Sequence, residues 1–303
     1  MNMVIASFAL SEPAGVPVEE ESVFFLHDST SEFASLFRVL AGTCVITSLS
    51  RDVSVGQIKN YFFSDFRENP ARNLSFLDAF EEGLLLADYE AHVRLRRFSH
   101  RKFYKNLLSE ICGAIFNLEV CNHTAAFIHL YRAYEHISYA FPMIYAAKTD
   151  DYLGTFDSLR KWMTSSDKIG NTGELPFHKA FISTLFKDLP EISTTVDIHI
   201  ICKEEYQDKV FEALAVKVLG WSDARRYTAE TSRPDKLSIN FAEFHSFIVN
   251  LRNRYFHYSS ARSDNLALDE IADSELLFSL VNKAGLYYVA TIFNRIVIHQ
   301  AEA

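Results

Sequence analysis

The sequence predicts a mainly α protein: a helical bundle with an α+β N-terminal region and a small strand-helix insertion. Three observations carry that prediction. From about Phe103 onward, apolar residues recur at spacings of three and four. Residues 18–50 instead alternate short apolar runs with polar breaks, and near residues 190–220 a β-branched run, "VDIHII", interrupts the helical pattern. At 303 residues and 49% hydrophobic, the chain is long enough to bury a substantial core. The patterns divide it into an N-terminal region, 1–109, and a helical region, 110–303, with the insertion near 190–220.

"SVFFLHD" and "TCVITSLS" suit strands around a helix over "SEFASLFRVL". From about residue 54 helices are expected over "VSVGQIKNYFFSDF" and then "LSFLDAFEEGLLLADYEAHVRL". Between Phe103 and Lys148, Phe127, Leu130, Tyr131, Tyr134, Ile137 and Phe141 form one stripe, while His129, Arg132, Glu135 and His136 fall mostly on the other side. Pro142 is expected to kink or end that helix. Residues 164–176 have the Gly, Ser, Asn and Pro content of a loop. "VDIHIICKEEYQDKVFEALAVKVLGW" then suits a strand followed by a helix, and "TAETSRPDKLS" a second loop.

Asn240 and Glu243 have capping-box spacing and are expected to open a helix whose apolar positions are Phe244, Phe247, Ile248, Leu251, Tyr255 and Tyr258. "SSARSDN" breaks it, and a last helix runs from about Asp273 to Ile298.

The formal charge of -9 repels polyanions, so contact with nucleic acid requires a local basic patch. Cys44, Cys112, Cys121 and Cys202 form no C-x-x-C pair, which suits a reducing compartment. "VIASFAL" near the N-terminus lacks the basic flank of a signal peptide, since no Lys or Arg precedes Arg38. No apolar run is expected to reach the roughly 20 residues of a membrane span, so a cytoplasmic protein without membrane contact is expected.

The chemistry-bearing stretch is "LRNRYFHYSS". On a helix, Asn253 and His257 sit one turn apart, with Arg252 about 100° round from Asn253. An arginine offers a rigid fork of donors for phosphate, a histidine moves protons near neutral pH, and an amide orients either partner. Asn250 and Tyr255 stand beside the trio as supporting residues.

Arg252-Asn253-x-x-x-His257, near the end of an amphipathic helix and ahead of a terminal helix, resembles the R-N-x3-H signature of the HEPN superfamily. The resemblance covers roughly residues 110–303 and is strongest over 240–298. It implies a helical bundle that dimerises to bring two motifs into one metal-independent ribonuclease site, in a toxin-antitoxin, abortive-infection or other anti-phage system. It implies no cofactor, an RNA substrate, a homodimer or larger homo-oligomer, and a regulatory or neutralising protein partner. Arg252, Asn253 and His257 would be catalytic. Glu135, where such proteins carry an acidic residue, would fix the His257 tautomer or tether Arg252. Residues 1–109 would sense a trigger or limit activity. Tyr258 directly follows His257 and so departs from the H-x-Y spacing of toxins silenced by modification of a nearby tyrosine.

"RLRRFSHRKFYK" concentrates Arg94, Arg96, Arg97, Arg101, Lys102 and Lys105 without an acid, interleaved with aromatic residues. It is the expected RNA track, although a solvated helix face or a site for an acidic partner also fits. Neither an H-E-x-x-H, a G-x-x-x-x-G-K nor a G-x-S-x-G pattern occurs, so no metal, phosphate-loop or serine-hydrolase site is expected. The alternative function is a non-catalytic HEPN-like module that binds RNA, nucleotide or a protein.

Overall fold

The structure, a computed structural model, describes residues 3–15, 22–62, 86–96, 99–148, 151–164, 174–221, 234–257 and 265–301. In chain order its elements are β1 (Met3–Ile5), β2 (Phe8–Ser11), α1 (Glu32–Ala41), β3 (Cys44–Ser48), β4 (Val53–Gln57), α2 (Leu86–Arg96), α3 (Arg101–Glu119) and α4 (His123–Ala146). There follow α5 (Tyr152–Thr164), α6 (Glu174–Leu185), β5 (Thr195–His199), α7 (Glu204–Glu212), β6 (Lys236–Asn240), α8 (Phe244–Phe256), α9 (Leu268–Ile271) and α10 (Ser274–Ala301). The protein is mainly α, with antiparallel strands. It divides into two compact units, Met1–Ala140 with Leu286–Ala303, and Phe141–Gly285. These divisions fall inside α4 and α10, unlike the boundary near residue 109 that the sequence patterns suggest.

In the first unit, β1 to β4 form an antiparallel sheet in sequential order. "VIASFAL" is its first hairpin, with Ile5 opposite Phe8. One of these strands differs from expectation in an instructive way. Val53–Gln57, expected to be helical, is strand β4, paired to β3 with Ile46 opposite Val55. Its Val-Ser-Val alternation has the strand period of two, and pairing to β3 satisfies backbone groups that a lone helical turn would leave to water.

Helix α1 forms where expected. Ser31 caps it by accepting from the Ala34 amide at 3.2 Å, and Gly42 closes it in the left-handed region at φ 76. The Lys59 backbone lies where a Cβ on Gly42 would stand. All ten residues of α1 are buried, including Arg38. Its guanidinium donates to Glu12 at 2.7 and 3.0 Å, to the Phe24 carbonyl at 2.7 Å and to Thr43 Oγ1 at 2.6 Å, so the buried charge is both paired and hydrogen-bonded. Helix α3 packs on α1 and reaches all four strands. Around Phe33, Tyr104 and Phe293 close the aromatic core at 5.0 and 5.6 Å between centroids.

The expected α4 stripe, Phe127, Leu130, Tyr131, Tyr134, Ile137 and Phe141, is buried throughout. Pro142 lies inside α4, which continues to Ala146, so it does not end the helix. Of the region expected to be helical before Arg94, residues 63–85 lie outside the described residues.

In the second unit, β5 and β6 pair antiparallel, Asp197 opposite Ser238. Lys236–Ser238, expected in a loop, is therefore strand, and Lys236 forms an ion pair at 3.0 Å with buried Asp197. Trp162 anchors α5 on α6, donating its indole N–H to Thr184 Oγ1 at 2.9 Å and packing edge-on against Phe181. The expected loops at 164–176, 228–238 and 259–265 fall largely outside the described residues.

Helix α10 overturns one further expectation. It is 28 residues long, and its most apolar stretch has a mean hydropathy of 1.4, enough by length and composition to cross a membrane. Of that stretch 72% is buried, the pattern of a core helix.

Candidate functional site

Helix α8 carries the motif and follows β6 through a 3-10 turn, Phe241–Glu243. The expected capping box does not form. Asn240 ends a strand and makes no side-chain cap bond, and Glu243 instead forms an ion pair with Lys179 of α6. Phe244, Phe247, Ile248 and Leu251 are buried, as the apolar pattern requires, and His245 is buried with them. The rings of His245 and His178 lie 3.9 Å apart between centroids, tilted by 36°. Burial, and then the His178 imidazole, push His245 well below its ordinary value of 6.5, so this ring sits neutral in the core.

The opposite face of α8 is held by backbone. Residues Ala213–Val218 continue α7 as a π-helical segment, and carbonyls at the end of such a segment lack partners within it. Asn250 Nδ2 donates to the Val218 carbonyl at 3.2 Å, and Arg254 Nε donates to the Lys217 carbonyl at 3.3 Å. Asn250 therefore supports the helix's position and does not project freely toward a substrate. Lys217 reaches onward to Glu270 at 2.5 and 2.6 Å. Burial acts to raise the Glu270 carboxyl, but hydrogen bonds from Lys217 and the Ala267 amide, with the Lys217 charge, outweigh it and hold the group below 4.5. A cavity of about 370 Å³ here is lined by Lys209, Glu212, Lys217, Asp269 and Glu270. Its charges are mixed and Lys217 is engaged, so it does not favour a polyanion.

At the end of α8 the trio separates into held and unheld parts. Arg252 Nη1 donates to Asn253 Oδ1 at 3.0 Å. His257 leaves helical geometry at φ -104, ψ 64, is exposed, and makes no hydrogen bond or ion pair among the described residues. Tyr255 packs edge-on against Phe278 at 5.0 Å, and Phe256 stacks on the same ring at 5.8 Å, which fixes the last turn. Tyr258 lies outside the described residues. An exposed imidazole and a positioned guanidinium in the same last turn are residue types suited to proton transfer and to holding an anionic phosphate.

Glu135 belongs to the first unit, where it is exposed on α4 and its carboxylate bonds to nothing among the described residues. The basic run is divided between two helices. Arg94 and Arg96 end α2, Arg101 opens α3, and Arg97 lies outside the described residues. Arg101 is committed to Glu32 at 2.9 and 3.1 Å, whereas Arg94, Lys102 and Lys105 are exposed.

One constellation escapes sequence inspection. Glu110 of α3, only 8% exposed, meets both His129 and Arg132 of α4 at 2.8 Å. The signals were a histidine and an arginine three apart on a helix's polar side, and a glycine, Gly113, in the apolar run "ICGAIF".

Comparison of the chain with protein-family models, curated proteins and solved structures finds no match in any of the three.

Proposed function

We propose that the protein is a metal-independent endoribonuclease of HEPN type, active in anti-phage defence or as a toxin, with Arg252, Asn253 and His257 as its catalytic group. The observation that carries this proposal is at the end of α8. Arg252 is held by Asn253 at 3.0 Å while His257 stands exposed and unengaged among the described residues.

In this mechanism the 2′-hydroxyl of RNA attacks the adjacent phosphorus, His257 moves the proton, and Arg252 stabilises the charge developing on the phosphate. The leaving 5′-oxygen takes a proton, giving 2′,3′-cyclic phosphate and 5′-hydroxyl ends. Asn253 acts through the arginine, since its side-chain oxygen is already engaged there. A homodimer would supply two motifs to one substrate. Residues 1–109 would restrain or trigger the enzyme, together with a neutralising partner.

The test is cleavage of end-labelled total RNA and tRNA in EDTA by the wild type, Arg252→Ala and His257→Ala. Cleavage by the wild type alone, leaving cyclic phosphates, is expected. Full activity in His257→Ala, or cutting of a 2′-deoxy substrate, would overturn the proposal.

A further inference from the structure

Glu110 and its two partners occupy the first unit, on helices α3 and α4. The carboxylate is nearly buried and divides its oxygens. Oε2 meets His129 Nδ1 and Oε1 meets Arg132 Nη2, each at 2.8 Å. The two partners are not buried with it, for their side chains are 34% and 57% exposed. A pair serving stability alone would gain little from such exposure, because exposed ion pairs contribute about 0 to 1 kcal/mol.

The neighbouring helix makes room for the ring. A Cβ on Gly113 would stand 2.7 to 2.8 Å from three atoms of the His129 imidazole. Glycine within a helix costs about 1 kcal/mol relative to alanine. Here that cost seats the imidazole against Glu110.

The geometry leaves donors to spare. With Nδ1 turned to the carboxylate, His129 Nε2 bonds to nothing among the described residues, and Arg132 is bonded there only through Nη2. Lys102 and Lys105 add exposed positive charge to α3. One carboxylate and one imidazole beside a guanidinium make a poor metal site, because the arginine repels a cation and supplies no lone pair. The same set suits a tetrahedral oxyanion. Arginine offers parallel donors, and an imidazole whose far nitrogen is fixed can accept from a phosphate hydroxyl or, when protonated, donate to a phosphate oxygen.

We infer that Glu110, His129 and Arg132 form a phosphate-binding site on the exposed side of α4, with Glu110 positioning the two side chains that touch the ligand. The site is independent of the Arg252–His257 proposal. The phosphate can belong to a free nucleotide or to an RNA strand, and a competition experiment separates these sources.

A fluorescein-labelled oligouridylate would be titrated by anisotropy into the full chain carrying His257→Ala, which removes cleavage from the readout. Direct calorimetric titrations with 5′-AMP and with inorganic phosphate complete the set. Arg132→Gln, at an exposed position, and His129→Gln, at a half-buried one, would be compared in the same background, with circular dichroism to confirm folding. At least tenfold weaker binding of one or more probes in both variants is expected. If 5′-AMP binds directly and displaces the oligonucleotide, the site takes a nucleotide. If only the oligonucleotide shows the loss, it takes a strand. Equal affinity in all three proteins, or no binding of any probe at millimolar concentration, overturns the inference. Failure of RNA cleavage in wild-type protein leaves this outcome untouched, so the two proposals fail separately.

Discussion

Asn253 accepts a hydrogen bond from the guanidinium of its immediate neighbour Arg252 at 3.0 Å in the last turn of α8. The amide thus restricts the arginine, which otherwise has many rotamers to sample. If the proposed ribonuclease activity holds, Asn253→Ala is expected to lower RNA cleavage about tenfold through looser orientation, while His257→Ala, which removes the proposed proton carrier, lowers it about 10²- to 10⁴-fold. Initial rates on one end-labelled RNA measure both. Equal losses in the two variants would mean that Asn253 does more than position Arg252.

Asn250 and Arg254 tie α8 to the carbonyls of Val218 and Lys217. Removing either side chain leaves a part-buried carbonyl short of a donor. Asn250→Ala is expected to cost about 1 kcal/mol in urea unfolding, and Arg254→Ala a similar amount. The double variant should lose more than either single variant, because two separate carbonyls are left unsatisfied.

His245 is held neutral below its ordinary value of 6.5 by burial and by His178. The unfolded chain therefore binds the proton more readily than the folded one. The stability contributed by the neutral ring is fully present above pH 6.5 and is lost progressively as pH falls from 6.5 toward the folded value. The slope for one such proton is at most about 1.4 kcal/mol per pH unit. Urea midpoints at pH 7.5 and 5.5 should differ more for the wild type than for His245→Phe, and identical pH dependence would contradict the assignment.

Arg38 is fully buried, and its only ion-pair partner among the described residues is Glu12. Glu12→Ala strands the guanidinium and is expected to destabilise the first unit by about 3 to 5 kcal/mol, read as a shift in denaturant midpoint. Replacing both residues with apolar ones should recover part of that loss, because the uncompensated charge goes with them.

Much of the helical framework was legible because its periodicity is long. The stripe from Phe127 to Phe141 repeats through several turns, and each of its members is buried. The short strands β4 and β6 were not. Five residues carry little period, and what holds each strand is a partner that sequence alone does not name, Cys44–Ser48 for one and Thr195–His199 for the other. Asn240 and Glu243 matched a capping box in spacing, but pairing with Thr195 and an ion pair with Lys179 claimed them first. The motif trio was visible by residue type, whereas the roles of Asn250 and Arg254 were hidden because they bond to carbonyls, which every residue carries. Glu110 was hidden for a different reason: its partners lie nineteen and twenty-two positions away on another helix.

Helix α10 gives the protein a liability during synthesis and after damage. Its 28 residues are apolar enough to match a membrane span, and the fold covers most of that surface. Any opening that uncovers it exposes a long greasy segment at once, for which lipid, chaperone grooves and other copies of the chain all compete. Destabilising variants are therefore expected to vanish first from the soluble fraction, before any loss of function can be measured, and expression at low temperature becomes a condition for assaying them.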